Sequence, residues 1–337
     1  MEKNLDGLIK RYMDLNYFPS LVVKAFGAKE IFYEKAFGDA KLDTLFDVAS
    51  LTKIVTSTLV LKFIGEGRFS LQSSLEEVLP AIGAYKNLRD KFGKTSIQEL
   101  LTHSSGLIDW YPFYTSGGDF LHILNKIYQK TEKIKGTLYS DLNFMLLGEI
   151  IKYTSGKNLD DCLNDYIKEP LAIEDIYYNP RNKENIAPSS YGNIIEENMC
   201  RERNLIFEKW RDRERELIGE VNDGNGFYFF KGLAGHAGIF ANADAYLKLG
   251  RMYLESKESL ILNSMKDFGG NRGLGWQMGE MYPYGCGHTG FTGTSIWISR
   301  DKGLGVVIFS NRLMGNWQKS NLNQFRREVH EMLVKYF

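Results

Sequence analysis

Ser50 and Lys53 stand three residues apart in Asp47-Val48-Ala49-Ser50-Leu51-Thr52-Lys53, at the mouth of an apolar run. On a helix three residues make nearly one turn, so the hydroxyl and the amine share a face and can meet. A serine hydroxyl attacks a carbonyl only when a neighbouring group takes its proton. A lysine can take it if burial or nearby cations pull its pKa toward neutrality. The spacing thus offers covalent serine chemistry without a Ser-His-Asp triad. Ser-x-x-Lys also arises by chance, so it needs partners elsewhere in the chain.

Three further segments supply candidates. Tyr139-Ser140-Asp141 precedes an apolar helical pattern. A phenol beside an ammonium can share protons, whereas a purely structural tyrosine would pack at the helix start. Gly287-His288-Thr289-Gly290-Phe291-Thr292-Gly293-Thr294-Ser295 leads into a strand. Its glycines let backbone approach a substrate, and strand N–H groups can face a developing oxyanion. A plain Gly-rich hairpin loop has the same composition. In Leu100-Leu101-Thr102-His103-Ser104-Ser105-Gly106-Leu107, His103 reads as a loop-organising hydrogen-bonder rather than a catalyst.

The elements that must position these residues follow from periodicity. Leu8 to Leu15 reads as a short amphipathic helix, and 21–26 and 31–33 as strands about the turn 27–30. The Ser50 helix carries Leu59, Val60, Phe63 and Ile64 and stops at Gly65-Glu66-Gly67. Helical patterns then dominate to about residue 220. They include a capping box at Ser96–Glu99 and a helix from Leu142 to Tyr153 stopped by Gly156. The mixed-charge run 196–217 reads as a solvated helix face. Strands return at 294–299 and 305–310 as a hairpin, and a helix from Leu322 to Lys335 closes the chain.

Strands at both ends around a helical middle predict an α+β fold. One antiparallel sheet is built from both chain ends and flanked by helices, with an inserted all-helical region. The expected division is 1–65 with 231–337 as the sheet region and 66–230 as the mainly helical region, the active site lying in the cleft between them.

With 337 residues, 43% hydrophobic and 25% charged, the composition is that of a folded globular chain. Lys plus Arg and Asp plus Glu each number 42, so no basic excess suggests nucleic acid. The charged N-terminus does not resemble a signal peptide, and no run approaches the length of a membrane span. Three scattered cysteines, Cys162, Cys200 and Cys286, fit a reducing compartment and lack metal-ligand spacing. A cytoplasmic protein with no metal and no cofactor is expected. The composition says nothing of oligomeric state.

Ser50-x-x-Lys53, Tyr139-Ser140-Asp141 and His288-Thr289-Gly290 occur in the order of the serine β-lactamase and penicillin-binding superfamily, which the chain resembles. The likeness is strongest to the branch of class C β-lactamases, D-aminopeptidases and related esterases. It spans roughly residues 15 to 320, with support from 100–107, from Tyr139 to Ile151 and from Gly235-His236-Ala237-Gly238-Ile239-Phe240-Ala241. The resemblance implies a β-lactamase/transpeptidase-like fold and assigns roles. Ser50 would be acylated, Lys53 would ease its deprotonation, and Tyr139 would be the shared base and later the proton donor. The Ser50 and Phe291 backbone N–H groups would hold the oxyanion, with Asp141, His288, Thr289 and Gly290 on the substrate side.

Two departures from the family pattern bear on specificity. Asp141 stands where the β-lactamases carry an asparagine, and an ionised carboxylate cannot donate a hydrogen bond. It would either pair with Lys53 or bind a cationic substrate group. His288 stands where many β-lactamases and peptidases carry lysine, which removes a fixed positive charge. Both changes disfavour penicillin hydrolysis and leave serine acylation intact. The expected substrates are small esters, then amides or peptides. The alternatives are a β-lactamase or a D,D- or D-amino peptidase, and a non-catalytic ligand-binding relative. Aromatics at Trp110–Tyr114 and Tyr282–Tyr284 either line an apolar pocket, with Trp110, Tyr114 and His236 as candidates, or simply pack. Asp223 and Asn225 are further candidates for the cleft wall.

Overall fold

The computed structural model describes all residues 1–337. Eight strands run β1 (Ser20–Phe26), β2 (Ile31–Gly38), β3 (Phe46–Asp47), β4 (Ile176–Tyr178), β5 (Ile239–Ala241), β6 (Cys286–Thr289), β7 (Ser295–Ser299) and β8 (Leu304–Ser310). The main sheet has the order β2-β1-β8-β7-β6, antiparallel throughout, so β1 from the N-terminal end pairs directly with β8 from the C-terminal end. The antiparallel sheet with flanking helices bears out the α+β expectation. A second sheet, β3-β5-β4, is made of strands of two or three residues, too short to show alternation in sequence.

Both faces of the central strands are covered, which is why β7 and β8 read as near-continuous apolar runs and β1 does so apart from Lys24. Leu21, Val23, Trp297, Val306 and Ile308 point to one core, beneath helices α1 (Glu2–Asp14) and α6 (Leu322–Val334). Val22, Phe26, Ile296, Val307 and Phe309 point to the other, larger core. There the sheet meets α5 (Ala243–Glu255), and α2 (Thr52–Gly65) packs against α3 (Asp141–Ser155) within the same core. Helix α2 is buried on all sides, the usual condition of a helix apolar all round. Gly156 ends α3 at φ 68, a conformation glycine adopts without steric cost.

The mixed-charge run departs from its expected form. Only its start is helical, on α4 (Ile194–Glu202), and residues 205–210 are irregular. Arg211 is buried and donates to the Asn193 side chain and to the Val221 and Asn222 carbonyls. Satisfying this guanidinium among backbone acceptors holds the segment against the fold, where a helix would have turned it to solvent. No helix is long and apolar enough to cross a membrane.

Candidate active site

Ser50 sits on a 3₁₀ turn, Ala49–Leu51, that runs directly into α2. In that turn residues i and i+3 eclipse one another, so Lys53 is drawn beneath Ser50. Its Nζ lies 2.9 Å from Ser50 Oγ. The turn is entered through Ala49 at φ 46, a left-handed conformation costing an alanine about 1 kcal/mol. Asp47, which sequence reasoning passed over, holds the turn in place. Its carboxylate accepts from Ala49 N–H at 2.8 Å and Asn222 N–H at 2.7 Å. Burial pushes this carboxyl up to about 6 despite those donors.

Lys53 is fully buried and wholly partnered. Beyond Ser50 it donates to the His236 carbonyl at 3.1 Å and pairs with Asp141 Oδ1 at 2.8 Å. Burial pulls the ammonium down, but Asp141 and then Tyr139 more than offset it, and the net shift is upward. Lys53 therefore stays charged near neutral pH. The two readings of Asp141 are separated by this geometry, since its carboxylate is committed to Lys53.

Tyr139 lies just before α3, its ring centroid 5.0 Å from Lys53 Nζ. His103 fixes that approach, as its Nδ1 accepts from Ser140 N–H at 3.1 Å while its ring lies 4.5 Å from Tyr139. On the other wall, β6 brings in His288 and Thr289. Beyond it Thr292 and Thr294 donate their hydroxyls to the Asp47 and Val48 carbonyls at 2.6 and 2.9 Å, lacing the sheet edge to the Ser50 turn. Gly290 makes this approach possible, because a Cβ there would stand 2.4 Å from the Val48 carbonyl oxygen. The N–H groups of Ser50 and Phe291 have no hydrogen-bond acceptor in the protein, while the Phe291 carbonyl accepts from Arg312 Nε at 2.6 Å. His288 is buried and neutral, pushed down to about 3 by burial and then by Lys53. Its Nδ1 meets the Thr289 carbonyl at 2.9 Å.

The Ser50 turn opens on a cleft of about 660 Å³, and Lys53, His288 and Gly290, expected on the substrate side or at the nucleophile, stand behind its lining. Ser50, Tyr139, Asp141, Thr289, Phe291 and Trp110 line it. Tyr114 and His236 do not; they stand behind its wall and act through other residues. Tyr114 donates its hydroxyl to Glu196 Oε2 at 3.0 Å, and His236 Nε2 lies 2.9 Å from Asp223 Oδ1. Glu196 and Asp223 are the cleft-lining members of those pairs. Burial and then Asp223 push the Glu196 carboxyl well above the carboxylate range. Asn225 instead latches the loop, its Oδ1 accepting from Phe113 N–H at 2.8 Å and its Nδ2 donating to the Tyr111 carbonyl at 2.9 Å. Of the second aromatic group, Tyr282 is buried under α6 and Tyr284 is 63% exposed, so neither lines the cleft. Glu196 and Arg272 also line it without any local motif to mark them, because only the tertiary fold brings them there.

With the geometry in place, the likenesses to known proteins are specific. A family model described as Beta-lactamase matches residues 5–331. The chain is 29% identical to the N-acetylmuramyl-L-alanine amidase of Bacillus subtilis, covering 81% of this chain and 69% of that protein. It is 26% identical to a putative D-alanyl-D-alanine carboxypeptidase of Escherichia coli, over 91% and 81% of the two chains. A class C beta lactamase from Rhodobacter sphaeroides superposes with a TM-score of 0.75 at 16% identity, over 99% of both chains, which speaks for the fold. Matched along nearly its whole length, the chain belongs to the Beta-lactamase family of serine hydrolases, whose relatives include carboxypeptidases, amidases, esterases and β-lactamases.

Proposed function

We propose that this protein hydrolyses small esters through an acyl-enzyme on Ser50, with small amides and D-amino-acid peptides as slower substrates. One observation carries the reading. Ser50 Oγ lies 2.9 Å from a fully buried, charged Lys53 at the floor of an open cleft. A charged Lys53 cannot itself accept the serine proton, so it serves as an electrostatic anchor for the oxygen as that oxygen becomes anionic. Tyr139, acting as its phenolate beside the Lys53 ammonium, takes the proton from Ser50 Oγ and becomes the phenol. The oxygen then bonds to the substrate carbonyl carbon, and the carbonyl electrons move onto its oxygen. The free N–H groups of Ser50 and Phe291 receive that oxyanion; losing one such donor costs about a hundredfold or more in rate. The tetrahedral species collapses, the leaving-group bond breaks, and Tyr139 returns the proton to the departing oxygen or nitrogen. Water repeats the sequence to release the acid.

Esters come first because the neutral His288 offers no cation and Asp141, tied to Lys53, offers no donor for an acylamido group. Labelling by a fluorophosphonate probe tests the reading. The wild type is expected to be labelled and Ser50→Ala to be blank, and labelling that survives the substitution would refute it. The amidase and carboxypeptidase relatives favour a second reading, a D,D-peptidase or β-lactamase. Turnover of a chromogenic cephalosporin beside a p-nitrophenyl ester separates the two. A cleft that neither labels nor turns over any ester or β-lactam would instead belong to a non-catalytic binding relative.

A further inference from the structure

Asp47 is buried behind the cleft lining, and its two carboxylate oxygens engage backbone from two separate segments. Oδ1 accepts from Ala49 N–H in its own turn, and Oδ2 accepts from Asn222 N–H on the opposite loop. Asn222 continues the link, donating from Nδ2 to Ser190 Oγ at 2.6 Å, and both residues line the cleft. The Asp47 carbonyl is engaged as well, by the Thr292 hydroxyl one residue beyond Phe291. The side chain of Asp47 is thus bonded to the Ser50 turn, and its backbone to the loop that carries the Phe291 N–H.

The conformation it clamps is a strained one. Ala49 sits at φ 46, from which an alanine relaxes to negative φ unless its neighbours hold it. The peptide that joins Ala49 to Ser50 carries the free Ser50 N–H, so the conformation of Ala49 sets where that donor points.

We propose that Asp47 is a positioning residue, whose ionised carboxylate holds Ala49 left-handed and so aims the Ser50 N–H and hydroxyl at the substrate carbonyl. The proposal rests on the serine-hydrolase reading and makes acylation depend on a proton held behind the cleft. A carboxyl that gains a proton becomes a donor on one oxygen and can no longer accept equally from both amides. Burial pushes Asp47 up to about 6, and Asp223 adds to this, while the two amides and Arg211 act against it. Tyr246, which donates to the Leu51 carbonyl at 2.9 Å, faces it from α5. The clamp is therefore whole above that pH and is lost as pH falls through it.

The test follows the rate of fluorophosphonate labelling between about pH 5 and about pH 8 in wild type and Asp47→Asn. The wild type should label about tenfold faster at the alkaline end than at the acid end. The midpoint should lie near the pH at which Asp47 ionises. Asp47→Asn should be about tenfold slower than wild type at the alkaline end, lack that midpoint, and converge with wild type at the acid end. A merely structural role would reduce the labelled fraction and leave the midpoint in place. A flat wild-type profile, equal rates at the alkaline end, or an unchanged midpoint in Asp47→Asn overturns the proposal. If Asp47→Asn does not fold, amide NMR of the wild type decides. The Ala49, Ser50 and Asn222 N–H resonances should shift together with the midpoint of the rate, and amides that stay in place overturn the proposal. If the wild type labels at no pH, it is the serine-hydrolase reading that fails. The same amide titration then decides the Asp47 proposal alone, with a joint shift supporting it and unmoved amides overturning it.

Discussion

Two buried histidines on opposite sides of the main sheet are chemically near twins. His288 and His330 each set Nδ1 against a backbone carbonyl, leave Nε2 without a partner, and are pushed down to about 3 chiefly by burial. Their surroundings differ. His330 stacks on Trp297 at 4.6 Å and on Tyr282 at 6.1 Å, inside the core under α1 and α6. His288 lies 6.0 Å from Tyr139 and feels the charge of Lys53, buried directly behind Thr289, which lines the cleft. A perturbed pKa therefore does not by itself mark a functional group. What marks one is a place beside an open cleft among groups left incomplete, such as the unpaired N–H of Phe291 and the guanidinium of Arg272.

If chemistry resides on the cleft side and stability alone on the far side, substitutions should separate the two. The largest effect on rate is expected from Lys53→Ala, which should lower turnover by at least about a thousandfold while an ester still binds. Stopped-flow turnover beside equilibrium binding checks it, and an unaffected rate would remove Lys53 from the chemistry. On the far side Phe325, fully buried against Tyr12 and Phe18, should behave oppositely. Phe325→Ala should cost about 3–5 kcal/mol in urea unfolding, with labelling per folded molecule unchanged. Altered labelling of the folded fraction would mean that the faces are coupled.

Two smaller effects sharpen the contrast through pH. Asp141 is the foremost group holding Lys53 charged against burial. In Asp141→Asn the ammonium should lose its proton at lower pH, moving the alkaline limb of kcat/KM downward by about a unit or more. A limb that stays in place would mean that Asp141 is not the counter-ion that matters. For His330 the folded pKa lies below the unfolded one, so its contribution to stability is whole above about pH 6.5. It is lost as pH falls toward 3. His330→Gln should flatten the decline in melting temperature between about pH 6.5 and about pH 4, leaving the kcat/KM profile unmoved. Parallel curves for the two proteins would contradict this.

What could be read from sequence was what depends on local spacing. Ser50 and Lys53 meet because they are three residues apart on a turn, and the β7–β8 hairpin announces itself through β-branched and aromatic runs about a short turn. Tyr139 and His288 were legible as ordered motifs, though nothing local shows them 6.0 Å apart. The left-handed Ala49 was illegible, because alanine carries no signal for positive φ and the strain is imposed by Asp47 and the laced strand edge. Arg272 and Glu196 were also out of reach, since each gains its meaning from segments distant in sequence. The aromatic runs misled in part. Trp110 faces the cleft, while Tyr114 packs against Phe207, Trp210 and Tyr228 and touches the cleft only through Glu196.

The most direct measurement is peptide-mapping mass spectrometry of protein quenched in acid while it turns over an ester. The expected result is an added mass equal to the acyl group on the peptide containing Ser50, absent from Ser50→Ala. Turnover with no adduct on that peptide, or an adduct that persists in Ser50→Ala, would contradict covalent catalysis by Ser50.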